Sequence, residues 1–173
     1  MATLKLFIVG ILWMFSMGSF AGSAGIAVLD FELNDLTLNP DTVNETERVA
    51  SIKPLLNNAL VEKQGYRAID VDPLTQKRAD AGFGYLFDHH DVAAQLGRDA
   101  GAEWVVVGRL HKPTFLFSYL MAHVVNVETG QLAGDLVVEI KGAHSLLTAK
   151  GVENLAGEIT KVIENAGYAV PVR

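Results

Sequence analysis

The chain has 173 residues, no cysteine and a formal net charge of −6. That length suffices for one domain with its own core, and the missing cysteines exclude disulfides, thiol nucleophiles and Cys-type zinc sites. An acidic surface repels phosphate backbones and anionic headgroups, which argues against nucleic acid and against electrostatic docking on lipid.

The first segment carries one charge, Lys5, followed by an apolar run from Leu6 to Phe15 and then Ser16, Gly18, Ser19, Ala21, Gly22, Ser23 and Ala24. A charged start, a short apolar stretch and a small-residue zone form the layout of a secretory signal peptide. Cleavage after Ala21 places Ser19 at the −3 position, and cleavage after Ala24 places Gly22 there. The first is favoured, which divides the chain into a signal peptide, 1–21, and a single α/β domain, 22–173. The expected location is the periplasm. The apolar run falls short of the about 20 residues of a membrane span. Left uncleaved it would be an N-terminal anchor; once it is removed, no stable membrane insertion is expected. Without cysteine the new N-terminus cannot carry a lipid.

Gly25 to Leu33 (GIAVLDFEL) starts as a continuous apolar run and ends in alternation, which predicts one strand. A polar loop follows to Asn44, with Pro40 in it. Val49, Ile52, Leu55, Leu56, Ala59 and Leu60 have helical spacing, predicting a helix from Glu45 to Gln64 that kinks or restarts at Pro54. Gly65 is its C-cap, and Tyr66 to Val71 the next strand. Pro73 to Asp80 suits a short helix, and Ala81 to Phe87 a glycine-punctuated aromatic loop. Asp91 is the predicted N-cap of a helix that runs towards Ala102. Glu103 to Leu110 (EWVVVGRL) reads as a central strand. Phe115 to Val127 and Leu132 to Lys141 flank a short turn containing Gly130, the pattern of a β-hairpin. A last amphipathic helix covers Gly151 to Ala166, with a start as early as Ser145, before a loose tail, Tyr168 to Arg173. The expected fold is a mixed α/β sheet in the order β-α-β-α-β-β-β-α. Its first three strands are parallel through right-handed crossovers, with a C-terminal antiparallel hairpin and helices packed on the sheet.

Four stretches carry a family resemblance: IAVLDFELND (Ile26 to Asp35), YRAIDVDP (Tyr66 to Pro73), AAQLGRDAGAEWVVVGRLHK (Ala93 to Lys112) and VVNVETGQL (Val124 to Leu132). In this order they resemble an exported bacterial family, domain of unknown function 2380, and its relative 3280. The resemblance spans about Ile26 to Ile163. More distantly the series is similar to the amino-terminal domain of TolB and to curli-secretion-type adaptor lipoproteins. That likeness implies an envelope adaptor that is not an enzyme. In the resembled family a Cys-x-x-Cys pair often precedes the helix that here begins near Asp91. This chain has Phe87-Asp88-His89-His90-Asp91 there, so a metal or redox role does not transfer.

Asp88, His89, His90 and Asp91 nevertheless offer imidazole and carboxylate ligands that suit a transition metal such as zinc, copper or nickel. A closed site would need ligands from elsewhere, among them His111, His123, His144, Asp70 or Asp72. The plainer reading is a solvated polar loop that caps a helix. Asp30, Glu32, Asp35, Asp70 and Asp72 gather at predicted strand ends, where a hard cation or merely an acidic rim is expected. Gly82-Phe83-Gly84 follows no strand and is no nucleotide loop, and Gly-x-Ser-x-Gly does not occur. Arg109 and Lys112 flank His111 as a small basic spot. Phe115 to Met121 (FLFSYLM) holds more apolar mass than one buried strand face requires. Phe115, Phe117, Tyr119, Arg109 and Lys112 are therefore the expected contacts for another envelope or periplasmic protein. The hairpin's outer edge is a second place where a partner strand could add. The sequence thus points to an exported, non-enzymatic accessory protein without a cofactor. The alternative is a metal-binding or metal-delivery protein using the histidine loop.

Overall fold

The computed structural model describes residues 23–38, 42–142 and 145–167. The expected signal peptide, Pro40, His144 and the tail from Tyr168 lie outside the described residues. Six strands form one mixed sheet. Strand β1 (Gly25–Val28) lies between β3 (Arg67–Ile69) and β4 (Trp104–Lys112), parallel to both. Strands β5 (Phe117–Asn126) and β6 (Leu132–Lys141) continue the sheet antiparallel from β4. The fold is thus the mixed α/β sheet with an antiparallel wing that the sequence predicts, and the hairpin's second arm has the predicted bounds.

The predicted first strand is two. β2 (Glu32–Asp35) also pairs with β4, in parallel, beyond the end of β1. Val28 lies beside Val106 and Glu32 beside Arg109, so this side carries one residue more than β4 does over the same length. Strand side chains alternate with a period of two, and one extra residue inverts the alternation. Ile26 and Val28 face the same core as Phe31 after the break, with Leu33 packed against it. The Phe31 ring lies flat against β4 where Gly108 has no side chain. A Cβ built on Gly108 would stand 2.2 Å from the ring's Cε1.

Helix α1 (Thr42–Asn58) starts earlier than predicted and runs through Pro54 without restarting, then widens into a π-helical stretch, Ala59–Lys63. Gly65 ends it at φ 76, the left-handed conformation that glycine adopts without strain. Helix α2 (Pro73–Ala79) is capped by Asp72, whose carboxylate accepts from the Thr75 N–H at 2.9 Å. A short helix, α3 (Tyr85–Asp88), replaces the predicted loop. Helix α4 (His90–Ala100) follows directly, so His89 and not Asp91 occupies its N-cap. Asp91 instead places its charge in the first turn, where the helix dipole favours it.

Helix α5 (Ser145–Asn165) packs with α1 on one face of the sheet, over Trp104, Val106, Leu110, Leu120 and Val124. Val152, Leu155, Ile159 and Ile163 of its predicted stripe are all buried there. Helices α3 and α4 cover the other face over Ala27, Leu29, Val105 and Val107. Each fully buried aliphatic side chain stabilises by about 1.5–3 kcal/mol. The second layer meets the hairpin at β5, where Phe87 and His90 lie against His123, and Val137 of β6 is 58% exposed.

The Gly108 contact is open to test. Gly108→Ala is expected to lower stability in urea denaturation by about 1–3 kcal/mol through overpacking against Phe31. Adding Phe31→Leu should recover part of that loss. A neutral Gly108→Ala would show that the ring does not require the missing side chain.

Candidate functional site

One end of the molecule gathers the C-terminal ends of β2, β4 and β6, the start of β5 and the N-termini of α1 and α5. Beneath its surface lies a set of buried charges. Lys112 is 4% exposed, and its Nζ sits 3.1 Å from Asp35 Oδ2 and 2.9 Å from Glu45 Oε1. Glu45 Oε2 in turn holds Arg48 Nη1 at 3.2 Å. Arg48 Nε donates to Thr148 Oγ1 and its Nη2 to Ser118 Oγ, each at 2.8 Å. Two cations and two carboxylates balance, and hydroxyls take most of the remaining donors. A buried ion cluster is tolerated only when it is satisfied in this way.

Burial pushes the Asp35 carboxyl up, but hydrogen bonds from the Thr37 hydroxyl and N–H and from Lys112 outweigh it, leaving Asp35 below the usual aspartate range. Burial pushes Lys112 down, but its bonds to Glu45 and Asp35 outweigh that and hold it above the usual lysine range. Lys112 was an expected partner contact; its burial corrects that, because it faces inward to these carboxylates.

Above this network the surface is apolar. Leu36 and Leu38 follow β2, Val43 starts α1, Phe115 and Leu116 precede β5, and Leu146 and Leu147 open α5; all are exposed. Leu38 is 96% exposed, Leu146 73% and Leu116 70%. The loops are tied down by backbone bonds: Leu36 N–H donates to the Lys112 carbonyl and Gly142 N–H to the Leu116 carbonyl. The Phe115 ring centroid lies 5.6 Å from Lys112 Nζ, a cation–π contact that links rim and network. Phe117 is exposed at the start of β5. Tyr119 lies further along it, half-buried, with its ring 6.3 Å from that of His111. Phe115, Leu116 and Phe117 were legible in the sequence as surplus apolar mass. The other members come from separate segments, and no local pattern could have joined them.

Arg109 is engaged inside the fold as well. Its Nη2 pairs with Glu32 Oε2 at 3.0 Å, and its guanidinium carbon lies 4.6 and 4.5 Å from the ring centroids of Phe83 and Phe87. Glu32 Oε1 accepts from the Gly84 N–H at 2.7 Å. Arg109 therefore fastens the glycine-rich segment to the sheet and does not project as a free basic contact. The acidic residues do not form one cluster: Asp30 and Asp70 meet at Lys53 Nζ, at 3.0 and 3.9 Å, Asp35 belongs to the buried network and Asp72 caps α2.

The histidine loop opens outward. Asp88, His89 and Asp91 are exposed, and His89 stacks on Tyr85 while its Nδ1 donates to the Tyr85 carbonyl at 2.8 Å. His90 turns away from His89 and meets His123, Nε2 to Nδ1, at 3.0 Å. His123 Nδ1 also lies 2.9 Å from the Phe87 carbonyl, which can only accept, so Nδ1 carries the proton and His90 Nε2 accepts. Burial, ahead of any other influence, pushes the His123 imidazole below its usual range. Among the described residues no group of three or more His, Asp or Glu stands where it could hold a metal ion. The sequence drew attention to His89 and His90 as neighbours; the fold pairs His90 with a residue of β5.

The network predicts a pH profile with a definite sign. The depressed Asp35 stabilises above its unfolded pKa, near about 4, and that contribution is lost as pH falls through the lower folded value. The raised Lys112 stabilises below its unfolded pKa, near about 10.4, and that contribution is lost as pH rises through the higher folded value. Lys112→Met leaves buried Asp35 without its cation and Glu45 with Arg48 alone, and is expected to lower stability by about 3–5 kcal/mol. Thermal unfolding of this variant should also become acid-sensitive at higher pH than the wild type. A loss below about 1 kcal/mol would mean that water reaches the cluster.

No curated protein matches the sequence. Solved structures with a TM-score of 0.50 share the fold. Lipoprotein GNA1162 of Neisseria meningitidis is 16% identical with a TM-score of 0.50, over 79% of this chain and 96% of that one. The PelC dodecamer of Paraburkholderia phytofirmans is 14% identical with a TM-score of 0.50, over 83% and 86%. The LpoB C-terminal domain of Salmonella enterica is 19% identical with a TM-score of 0.46, over 72% and 87%. Among the described residues no helix is long and apolar enough to cross a membrane. Residues 24–159 match the family model DUF3280, described as a protein of unknown function (DUF2380), and the chain belongs to that family.

Proposed function

We propose that this protein is an exported, non-enzymatic accessory factor of the bacterial envelope that binds another envelope protein through its apolar end. The observation that carries this reading is the exposed rim of Phe115, Leu116, Leu36, Leu38 and Leu146 seated on a buried, charge-balanced base. Apolar side chains gathered at one exposed place favour a binding site over scattered surface residues. A fixed base also lowers the ordering cost of docking, since side chains and loops are already placed. The leader-like N-terminal segment and the fold shared with the lipoprotein GNA1162 support an envelope location. A binding role also fits the state of Ser118, which is buried and accepts from the Arg48 guanidinium, a group that cannot take up its proton.

Photo-cross-linking in the producing cell tests the surface directly. A photoreactive residue at position 115 or 116 should trap a discrete envelope protein, while one at Gln95 on exposed α4 should not. Phe115→Ala combined with Leu116→Ala should reduce trapping from position 146 by about tenfold, the effect of losing roughly 1.4 kcal/mol of binding. Circular dichroism would confirm that the variant is folded. Equal trapping from Gln95, or trapping unchanged in the double variant, would overturn the reading.

A further inference from the structure

The sheet has a second exposed feature, distinct from the apolar end. Strand β6 is an edge strand, ten residues long and without proline. Gly142 N–H points to β5, where it donates to the Leu116 carbonyl. In an antiparallel ladder the direction alternates, so Ile140, Val138 and Leu136 also turn their backbone groups to β5. Among the described residues, the N–H and C=O groups of Asp135, Val137, Glu139 and Lys141 then point outward without a backbone partner. A long edge with free backbone groups is a template for another strand.

The geometry points to a second copy of this chain as that strand, paired antiparallel β6 to β6 about a two-fold axis at Val138. The charges on the edge select the occupant and the register. With the axis at Val138, Lys141 of each copy lies opposite Asp135 of the other, and Glu139 opposite Val137. With the axis at Val137, Glu139 would oppose Asp135 twice, and with the axis at Glu139 that carboxylate would oppose itself. Like charges directly opposite destabilise a strand pair, and opposite charges support it. Only the Val138 register keeps the whole Asp135 to Lys141 segment paired without facing acids. Lys141 is free to turn, since its contact to Glu139 within the chain is 3.7 Å long and it is 78% exposed.

The layer above the edge is compatible. Along β6, Val137, Val138 and Glu139 border a groove of 610 Å³ whose other wall is Glu153, Asn154, Gly157, Glu158 and Lys161 of α5. The two-fold would bring this flank of each α5 towards the other. Gly157 has nothing within 4 Å of its Cβ position, which leaves room for that approach. The helix acids bring no net repulsion: Glu153 is paired with Lys63 at 2.8 Å and Glu158 with Lys161 at 2.7 Å. Val137, exposed in one copy, would gain a diagonal apolar neighbour in the other. The pairing leaves the apolar end uncovered and places two such ends at opposite extremes of the dimer. The inference therefore stands independently of the proposed function.

Sedimentation analysis of the protein as the cell processes it should show a reversible dimer in the micromolar range. Asp135→Lys and Lys141→Asp should each weaken self-association by about tenfold or more, by the pairwise energies of facing charges in a sheet. An equimolar mixture of the two variants should dimerise again as a heterodimer, and so should the chain carrying both substitutions. Because the chain has no cysteine of its own, Val138→Cys should form a covalent dimer on oxidation. A monomer at about 100 μM overturns the proposal, since a micromolar dimer would be nearly complete there. So does a dimer indifferent to both charge reversals, or one dissociated by Phe115→Ala with Leu116→Ala, which would place self-association at the apolar end. Failure of envelope cross-linking with an intact charge-swap result would sink the docking reading and leave the dimer standing.

Discussion

The buried contact between Lys112, Asp35 and Glu45 is the constraint on which the apolar end of this protein rests. It joins the last residue of the central strand to the last residue of β2 and to the first turn of α1. Through Arg48 it reaches β5 and α5. Five segments far apart in sequence are thereby brought to one place, and β2, α1, β5 and α5 carry or adjoin apolar residues that the solvent still sees. An aliphatic filling of the same volume could be as stable, because ions give up hydration when buried. What it could not do is fix orientation, since hydrophobic contact is non-directional and charge-assisted hydrogen bonds are not.

A second constraint acts in the middle of the sheet. The extra residue between β1 and β2 inverts the side-chain alternation, and the inversion is what sends Asp35 to the α1 side. Had β1 run on without it, Glu32 would face α1 and Asp35 would face the opposite layer, away from Glu45. Gly108 makes this arrangement tolerable by leaving room for Phe31. A small defect in one strand therefore sets the electrostatics three residues later.

Much of this fold was legible in the sequence because local physics fixed it. The alternation of Leu132 to Lys141, Gly65 as a helix stop and the short helix that opens at Pro73 depend on near neighbours. The break at Leu29 to Phe31 was hidden because Phe31-Glu32-Leu33 alternates as a continuing strand would, and its cause, Gly108, stands far along the chain. Arg109 and Lys112 were read as surface charges for the same reason: their carboxylate partners arrive only with the tertiary fold. At the candidate site Phe115 and Phe117 announced themselves by composition. Leu36, Val43 and Leu146 are ordinary loop or helix-end residues until β2, α1 and α5 converge.

The parallel core carries a consequence for how the chain comes to be folded. β4 pairs with β2 across a separation of 77 residues, as the Glu32–Arg109 and Asp35–Lys112 contacts record. Contacts this distant close late, because loop entropy is lost before the contact repays it, and folding slows as such contacts dominate. Until β4 has emerged, β1 and β2 have no central strand to lie against and the chain stays open. Were the chain exported as proposed above, that delay would preserve a state able to pass a membrane channel. The topology itself would then do part of what a holding chaperone does.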